Sequence, residues 1–297
     1  MVLSSWSALG ERVDAAIDAA LAQRRLVGAV VLVARRGELA YRRAAGLADR
    51  EAGVPMREDA LFRFASVSKP IVSAAAMRAV AAGKLDLDAS IARWLPAFTP
   101  ALAGGHPARI TARQLLSHTA GLGYRFLETH AHGPYARAGV SDGMDCAGIS
   151  LAENLRRIAS VPLLYEPGTS WAYSLATDVL ALIEALRTGG DGWLPAARID
   201  EMARIQPGAE DLPTAPGYGF GLGFSVLRDP AAARSPESVG TWRWGGAYGH
   251  AWFVDRAAGL SVVALTNTAY EGMSGRFVAD LRDAVYGAGA AAQERAA

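Results

Sequence analysis

The sequence predicts an α+β protein, an α/β sandwich: one antiparallel sheet built from both termini and flanked by helices, with a reduced, mostly helical second lobe. Three observations carry this. β-rich runs stand near both ends: GAVVLVARRGELAYRRAAG on one side, and GYGFGLGFSVL, TWRWGG and GHAWFVDRAAGLSVVALTNTAY on the other. The segments between them repeat apolar residues at helical spacing. Strands and helices do not alternate in the rhythm that builds a parallel sheet. The expected division is residues 1–65 with 206–297 for the sheet domain, and 66–205 for the helical lobe.

Taken in order, Ser5 to Arg24 places Leu9, Val13, Ile17 and Leu21 on one helical face. Two β-rich runs then meet at Arg36-Gly37, a hairpin signal. Phe64 to Leu85 reads as a buried central helix. Its body (Val72, Ala75, Met77, Val80) is apolar nearly all round, Pro70 is tolerable only in its first turn, and Gly83 ends it. DASIARWLPAF and TARQLLSHTAG read as short helical pieces. Gly121 to Ser150, rich in Gly, Tyr and His, reads as a long functional loop. SLAENLRRIAS is an amphipathic helix capped by Ser150, TSWAYSLATDVLALIEALR a turn that becomes helix, and Leu194–Ile205 a further helix. The strands near the C-terminal end contain a second hairpin at Arg256–Gly259. A helix over Gly275–Val285 and a frayed tail close the chain.

With 297 residues, 51% of them hydrophobic and 20% charged, the chain has ample material for a core. A net charge of +1 gives no basis for binding nucleic acid or an anionic membrane. No apolar run reaches membrane-spanning length, and MVLSSWSALGERVDAAIDAA does not read as a signal peptide, so the expected location is cytoplasmic. Cys146 is the only cysteine, and the five histidines (His106, His118, His130, His132, His250) contain no HExxH. A metal-free, cofactor-free site is therefore expected.

The chemistry centres on Ser66 and Lys69. Residues three apart on a helix share a face, so serine Oγ and lysine Nζ can meet, and a serine at a helix N-terminus sits in a positive field. Ser-x-x-Lys alone is weak, since a chain this long holds about one by chance. The lysine census strengthens it. Of 30 Lys+Arg only Lys69 and Lys84 are lysine. Arginine keeps its proton, whereas a buried lysine shifts its pKa readily. The bland alternative is a snorkelling lysine beside a capping serine; Lys84, in GKLDLD, reads as simply solvated.

A nucleophilic serine needs a base and an oxyanion hole. Tyr173 in PGTSWAYS can supply the first, because an adjacent Lys⁺ favours tyrosinate and such a pair can take a serine's proton without histidine. A packed aromatic is otherwise the commoner fate of a tyrosine. Trp244-Gly245-Gly246-Ala247 can supply the second, because glycines in a strand mark close approach of a ligand or backbone. A plain bulge is the alternative.

The ordered set Ser66-Val67-Ser68-Lys69, Tyr173-Ser174-Leu175 and Trp244-Gly245-Gly246 resembles the serine β-lactamase and penicillin-binding-protein superfamily. Within it the chain is most similar to the family VIII carboxylesterases of EstB type. SVSKPIVSAAAMRAVAAGKL, LLSHTAGLGY, EPGTSWAYSLATDVL, WGGAYGHAWFVDRAAGLSV and LTNTAYEGMSG carry the resemblance over nearly the whole chain. It implies a β-lactamase/transpeptidase-like fold and an acylated nucleophile at Ser66. Lys69 and Tyr173 would be joint base and acid, and the backbone N–H groups of Ser66 and Ala247 the oxyanion hole. It also implies a substrate pocket that includes Trp244, Gly245 and Gly246; Tyr124, Trp171 and His250 are further candidates for its wall, and each could equally be core. The substrate would be a small-molecule ester, hydrolysed or passed to an alcohol. Trp244 stands where β-lactamases usually carry a lysine and Leu175 where they carry an asparagine. Both departures argue for neutral esters over one alternative, a β-lactamase or DD-peptidase, and the intact Ser66, Lys69 and Tyr173 argue against the other, a non-catalytic relative.

Two features complete the reading. Gly139-Val140-Ser141-Asp142-Gly143 matches the Gly-x-Ser-x-Gly elbow, but no apolar strand precedes it, which demotes Ser141. The segment between Tyr173 and Trp244 is also shorter than the EstB type carries, which predicts an open pocket and broad ester use.

Overall fold

A computed structural model describes residues 8–143, 148–175 and 194–288. The chain divides into two units, Met1–Ser68 with Leu227–Ala297, and Lys69–Val226.

In the first unit, helix α1 (Leu9–Ala22) turns Leu9, Val13, Ile17 and Ala20 inward. Strands β1 (Gly28–Arg35) and β2 (Glu38–Asp49) form the expected hairpin. Arg36 (φ 50°) and Gly37 (φ 84°) are both left-handed, as a two-residue turn matching the strand twist requires. β3 (Val54–Pro55) pairs with β2. Toward the C-terminus come β6 (Trp242–Gly246), β7 (His250–Asp255) and β8 (Leu260–Thr266). The order within this unit is β3-β2-β1-β8-β7-β6, so the two ends of the chain meet where β1 pairs antiparallel with β8. Register puts Val33 opposite Val262, and Val262 opposite Phe253. These side chains share one face and bury against α1 and the closing helix α7 (Arg276–Tyr286), whose Phe277, Leu281 and Val285 repeat every four residues. Gly287 (φ 71°) stops that helix.

The second unit opens with helix α2 (Ser68–Ala81, of which Ser68 belongs to the first unit). Its buried positions are Lys69, Ser73, Ala76, Met77 and Ala79. It is therefore one-sided rather than apolar all round. Of the four body residues singled out from sequence, only Met77 is fully buried, and Ile71 is 58% exposed. Gly83 (φ 68°) ends it, with Lys84 N–H and Leu85 N–H both donating to the Ala79 carbonyl. α3 (Ala112–Leu116) starts with a reciprocal Thr111–Gln114 cap. The stretch read as a long loop contains a helical turn at Arg125–Leu127 and α4 (Pro134–Arg137), whose N-terminal amides donate to the Glu128 carboxylate. α5 (Leu151–Ala159) is capped by Ser150 as expected. α6 (Ala196–Ala203) occupies the middle of Leu194–Ile205. Strands β4 (Tyr218–Phe220) and β5 (Ser225–Leu227) close the unit.

Residues 206–226 were assigned to the sheet domain from sequence but fall in the second unit. The reason is local packing. Gln206 N–H donates to the Phe220 carbonyl and Gly223 N–H to Leu116. A Cβ on Gly223 would lie 2.2 Å from Ser73 Oγ, and one on Gly221 2.1 Å from the Met202 carbonyl oxygen. Cys146 and residues 176–193, with most of the helix expected in TSWAYSLATDVLALIEALR and part of the region expected to be shortened, lie outside the described residues.

Candidate active site

The chemistry-bearing residues fall in both units, and each unit shapes its own share. In the first, Ser66 sits in a tight turn, Ala65–Val67, that runs into α2 through Ser68 in right-handed helical conformation. Ala65 has φ 48°, a left-handed conformation that costs an L-residue about 1–2 kcal/mol. Strain of this kind survives only where surrounding structure over-determines it. Here the surroundings are β6. A Cβ on Gly246 would lie 2.6 Å from the Phe64 carbonyl oxygen and 3.4 Å from Val67 N. The glycine pair therefore marks backbone approaching backbone, and the backbone approached is the Ser66 turn. Gly245 is crowded too, by Met273 and the His250 carbonyl. Ala247 follows in the turn that leads to β7, where Gly249 N–H donates to the Gly246 carbonyl and Tyr270 N–H to that of Ala247. Trp244 is half-buried, opposite Trp252 in register.

His250, expected at the pocket wall, is 0% exposed. Its Nδ1 accepts from Thr266 N–H (3.1 Å), so the proton is on Nε2, which donates to the Arg63 carbonyl (2.8 Å). Phe62 and Phe64 meet its ring edge-on. Of the two places open to it, pocket wall or core, the side chain takes the core, because β7 turns it under the segment 62–64 that leads to Ser66. Burial lowers the imidazole pKa below its ordinary 6.5.

In the second unit, Lys69 is 5% exposed and its Nζ donates to Tyr124 Oη at 2.9 Å. Nζ lies 5.4 Å from the Tyr124 ring centroid, farther than from the hydroxyl, so the contact is with the oxygen rather than the ring face. The Tyr173 ring centroid is 5.5 Å from the same Nζ, and the two tyrosine rings stack 5.2 Å apart. The sequence expectation paired Lys69 with Tyr173 and left Tyr124 as a pocket residue. The structure brings all three together and makes Tyr124 a direct hydrogen-bond partner of the lysine. Trp171 packs on Phe220 and His118.

The Tyr173 segment is held by a residue to which the sequence assigned no role. His118 is 1% exposed and lies 4.8 Å from the Tyr173 ring. The demoted Ser141 has no elbow geometry. The helix α4 precedes it, its N–H donates to Asn154 Oδ1, and its carbonyl accepts from Asn154 Nδ2. Among the described residues no group of three or more His, Cys, Asp or Glu is placed to hold a metal ion, and no helix is long and apolar enough to cross a membrane.

A sequence profile described as Beta-lactamase matches residues 13–198 and 176–286. The chain belongs to the Beta-lactamase family. Within this family it is 43% identical to Esterase EstB of Burkholderia gladioli, over 94% of this chain and 96% of that protein. Its fold superposes with a TM-score of 0.87 on EstCE1, described as a hydrolase with promiscuous acyltransferase activity. That match is at 37% identity and covers 95% of this chain and 99% of that one. The unliganded simvastatin synthase LovD from Aspergillus terreus shares the fold at TM-score 0.71 and 20% identity, covering 93% of this chain and 97% of that one. The family assignment agrees with the α+β, β-lactamase/transpeptidase-like architecture read from the sequence.

Proposed function

We propose that this chain is a serine carboxylesterase for short-chain or acetyl esters, with Ser66 as nucleophile and Lys69 and Tyr173 as its proton-handling pair. The observation that carries the reading is the buried Lys69: one of only two lysines in the chain, it donates to a tyrosine hydroxyl one helical turn after a serine held in a strained turn. The likeness to an esterase at 43% identity supports the same activity.

In the proposed sequence, Ser66 Oγ attacks the ester carbonyl and its proton passes to the Lys69–Tyr173 pair. The negative charge that develops on the carbonyl oxygen is met by the backbone N–H groups of Ser66 and Ala247. Collapse breaks the bond to the alcohol, which takes the proton back from the pair and leaves an ester at Ser66. Water, or a second alcohol, then attacks that acyl group and gives its proton to the pair; the bond from the acyl carbon to Ser66 Oγ breaks, Oγ takes the proton back, and the acid or a new ester leaves. The promiscuous acyltransferase activity of EstCE1 favours including the alcohol route. Tyr124 keeps the ammonium of Lys69 hydrogen-bonded between steps. Trp244 would line the pocket with an indole in place of a cation, which suits neutral esters.

Incubation with a fluorophosphonate, followed by intact-mass and peptide analysis, tests this. One adduct on Ser66 is expected, with hydrolysis of p-nitrophenyl acetate lost in Ser66→Ala and retained in Ser141→Ala. Full activity in Ser66→Ala would overturn the assignment.

A further inference from the structure

His118 stands outside the proposed chemistry, yet both chain neighbours of Tyr173 are anchored on it. Its carbonyl accepts from Ala172 N–H (3.1 Å) and from Tyr165 Oη (3.2 Å). Its Nδ1 accepts from Ser174 N–H (3.2 Å) and lies 3.1 Å from Ser174 Oγ. The residue is left-handed, φ 57°. The ring also packs against the Tyr173 ring, tilted by 51°, with Trp171 and Phe220 on other sides.

We propose that His118 is a positioning residue: its neutral imidazole, through Nδ1, fixes the Tyr173–Ser174 peptide and so the tyrosine that serves Lys69. This rests on the reading of Tyr173 as a member of the proton-handling pair. The chemistry demands the neutral ring, because an imidazolium has no lone pair at Nδ1 to offer Ser174 N–H. The surroundings enforce it. Burial, and then the charge of Lys69, push the His118 pKa well below 6.5. The groups packed round the ring (Trp171, Tyr173, Ser174 and Phe220) bring no carboxylate to offset that. Among the described residues the buried Nε2–H has no hydrogen-bond partner, which is the cost of this arrangement and marks the ring as held for its other nitrogen.

The variants separate geometry from bulk. Asparagine tolerates φ near 57° and can place Oδ1 where Nδ1 was; glutamine places its amide at the Nε2 end; leucine keeps bulk without an acceptor. The expected result is that His118→Leu lowers kcat on the order of 100-fold, the scale of a small misplacement of a catalytic group, with KM changed less than about 3-fold and the kcat–pH profile displaced. His118→Asn should recover to within about 10-fold of the parent, and His118→Gln should not. Should the leucine variant fail to fold, the Asn–Gln contrast decides alone. Equal losses in Asn and Gln, or a parent-like kcat in Leu, would overturn the proposal. Two controls keep it apart from the reading beneath it. Tyr173→Phe must itself abolish turnover, or that reading fails first. In the parent, imidazole ¹⁵N shifts should show Nδ1 unprotonated from pH 5 to 9, whatever the enzyme hydrolyses.

Discussion

Replacing Gly246 by alanine tests whether the crowding of β6 against the Ser66 turn sets the position of the proposed nucleophile. The added Cβ would lie 2.6 Å from the Phe64 carbonyl oxygen, about 0.8 Å short of ordinary contact at 3.4 Å, and 3.2 Å from Val67 Cγ2. The first clash is with backbone rather than a flexible side-chain end, so the turn or the strand must move. The turn is the softer of the two, since it already holds Ala65 in a strained conformation, whereas β6 is paired to β7 along its whole length. A displacement of roughly half an ångström to one ångström at Ser66 follows. Overpacking of this kind costs about 1–3 kcal/mol, or a fall in Tm of roughly 2–10 °C. Misplacing a reacting group by that distance costs on the order of 10- to 100-fold in rate. The assay is steady-state hydrolysis of p-nitrophenyl acetate beside a thermal melt. The expected outcome is a folded protein with kcat down at least about 10-fold. A folded Gly246→Ala variant with parent-like kcat would refute the reasoning, because it would show that the strand does not set where Ser66 stands.

Two further expectations follow from single contacts. Tyr124→Phe removes a hydrogen-bond acceptor from a buried ammonium, so stability should fall by about 1–3 kcal/mol and kcat by about 10-fold or more; a variant equal to the parent in both melt and turnover would place Tyr124 outside the machinery. For pH, the folded state holds His118 and His250 below the ordinary imidazole pKa, so their contribution is fully present above about 6.5 and is lost as pH falls below it, where only the unfolded chain takes up protons. Each adds a slope of up to about 1.4 kcal/mol per pH unit. Tm should fall between pH 7 and 5, and His250→Gln, which retains a donor toward the Arg63 carbonyl, should flatten that fall; a Tm flat across the range would contradict the assignment.

The fold was legible where period and composition report burial directly. Val31, Val33, Val262 and Phe253 are apolar at alternate positions, and α1 and α7 repeat every four residues, so sheet, helices and both hairpins could be read. Ser66 and Lys69 were legible for another reason: they stand three residues apart, Ser66 in the turn that runs into α2 and Lys69 in its first turn, so their spacing is local. What escaped was set by contacts distant in sequence. Tyr124 is 55 residues from Lys69 and His118 56 from Ser174, and no local pattern announces either pair. The left-handed conformations of Ala65 and His118 were equally hidden, because neither residue is a glycine whose identity would betray the backbone. The boundary expected at 206 differs from the division of the compact units at Leu227 because 206–226 looks strand-like, while its partners, Met202, Leu116 and Ser73, belong to helices and their termini.

The two buried histidines put the chemistry in perspective. In many serine hydrolases a histidine is the base and must titrate near the working pH. Here each has one ring nitrogen accepting a backbone N–H: His250 from Thr266, His118 from Ser174. Each lies beside a segment the proposed reaction needs, the lead into Ser66 in one case and Tyr173 in the other. Protonating either ring removes the acceptor. Neutral imidazole is therefore the structural requirement, and burial supplies it. With proton transfer assigned to Lys69 and Tyr173, acid should affect this protein through its scaffold as well as through the reacting groups. The loss of activity on acidification should then contain a component that tracks unfolding. Comparing the kcat–pH profile with Tm over the same range separates the two: a profile that falls below pH 6.5 while the melt stays constant would remove the histidines from the account.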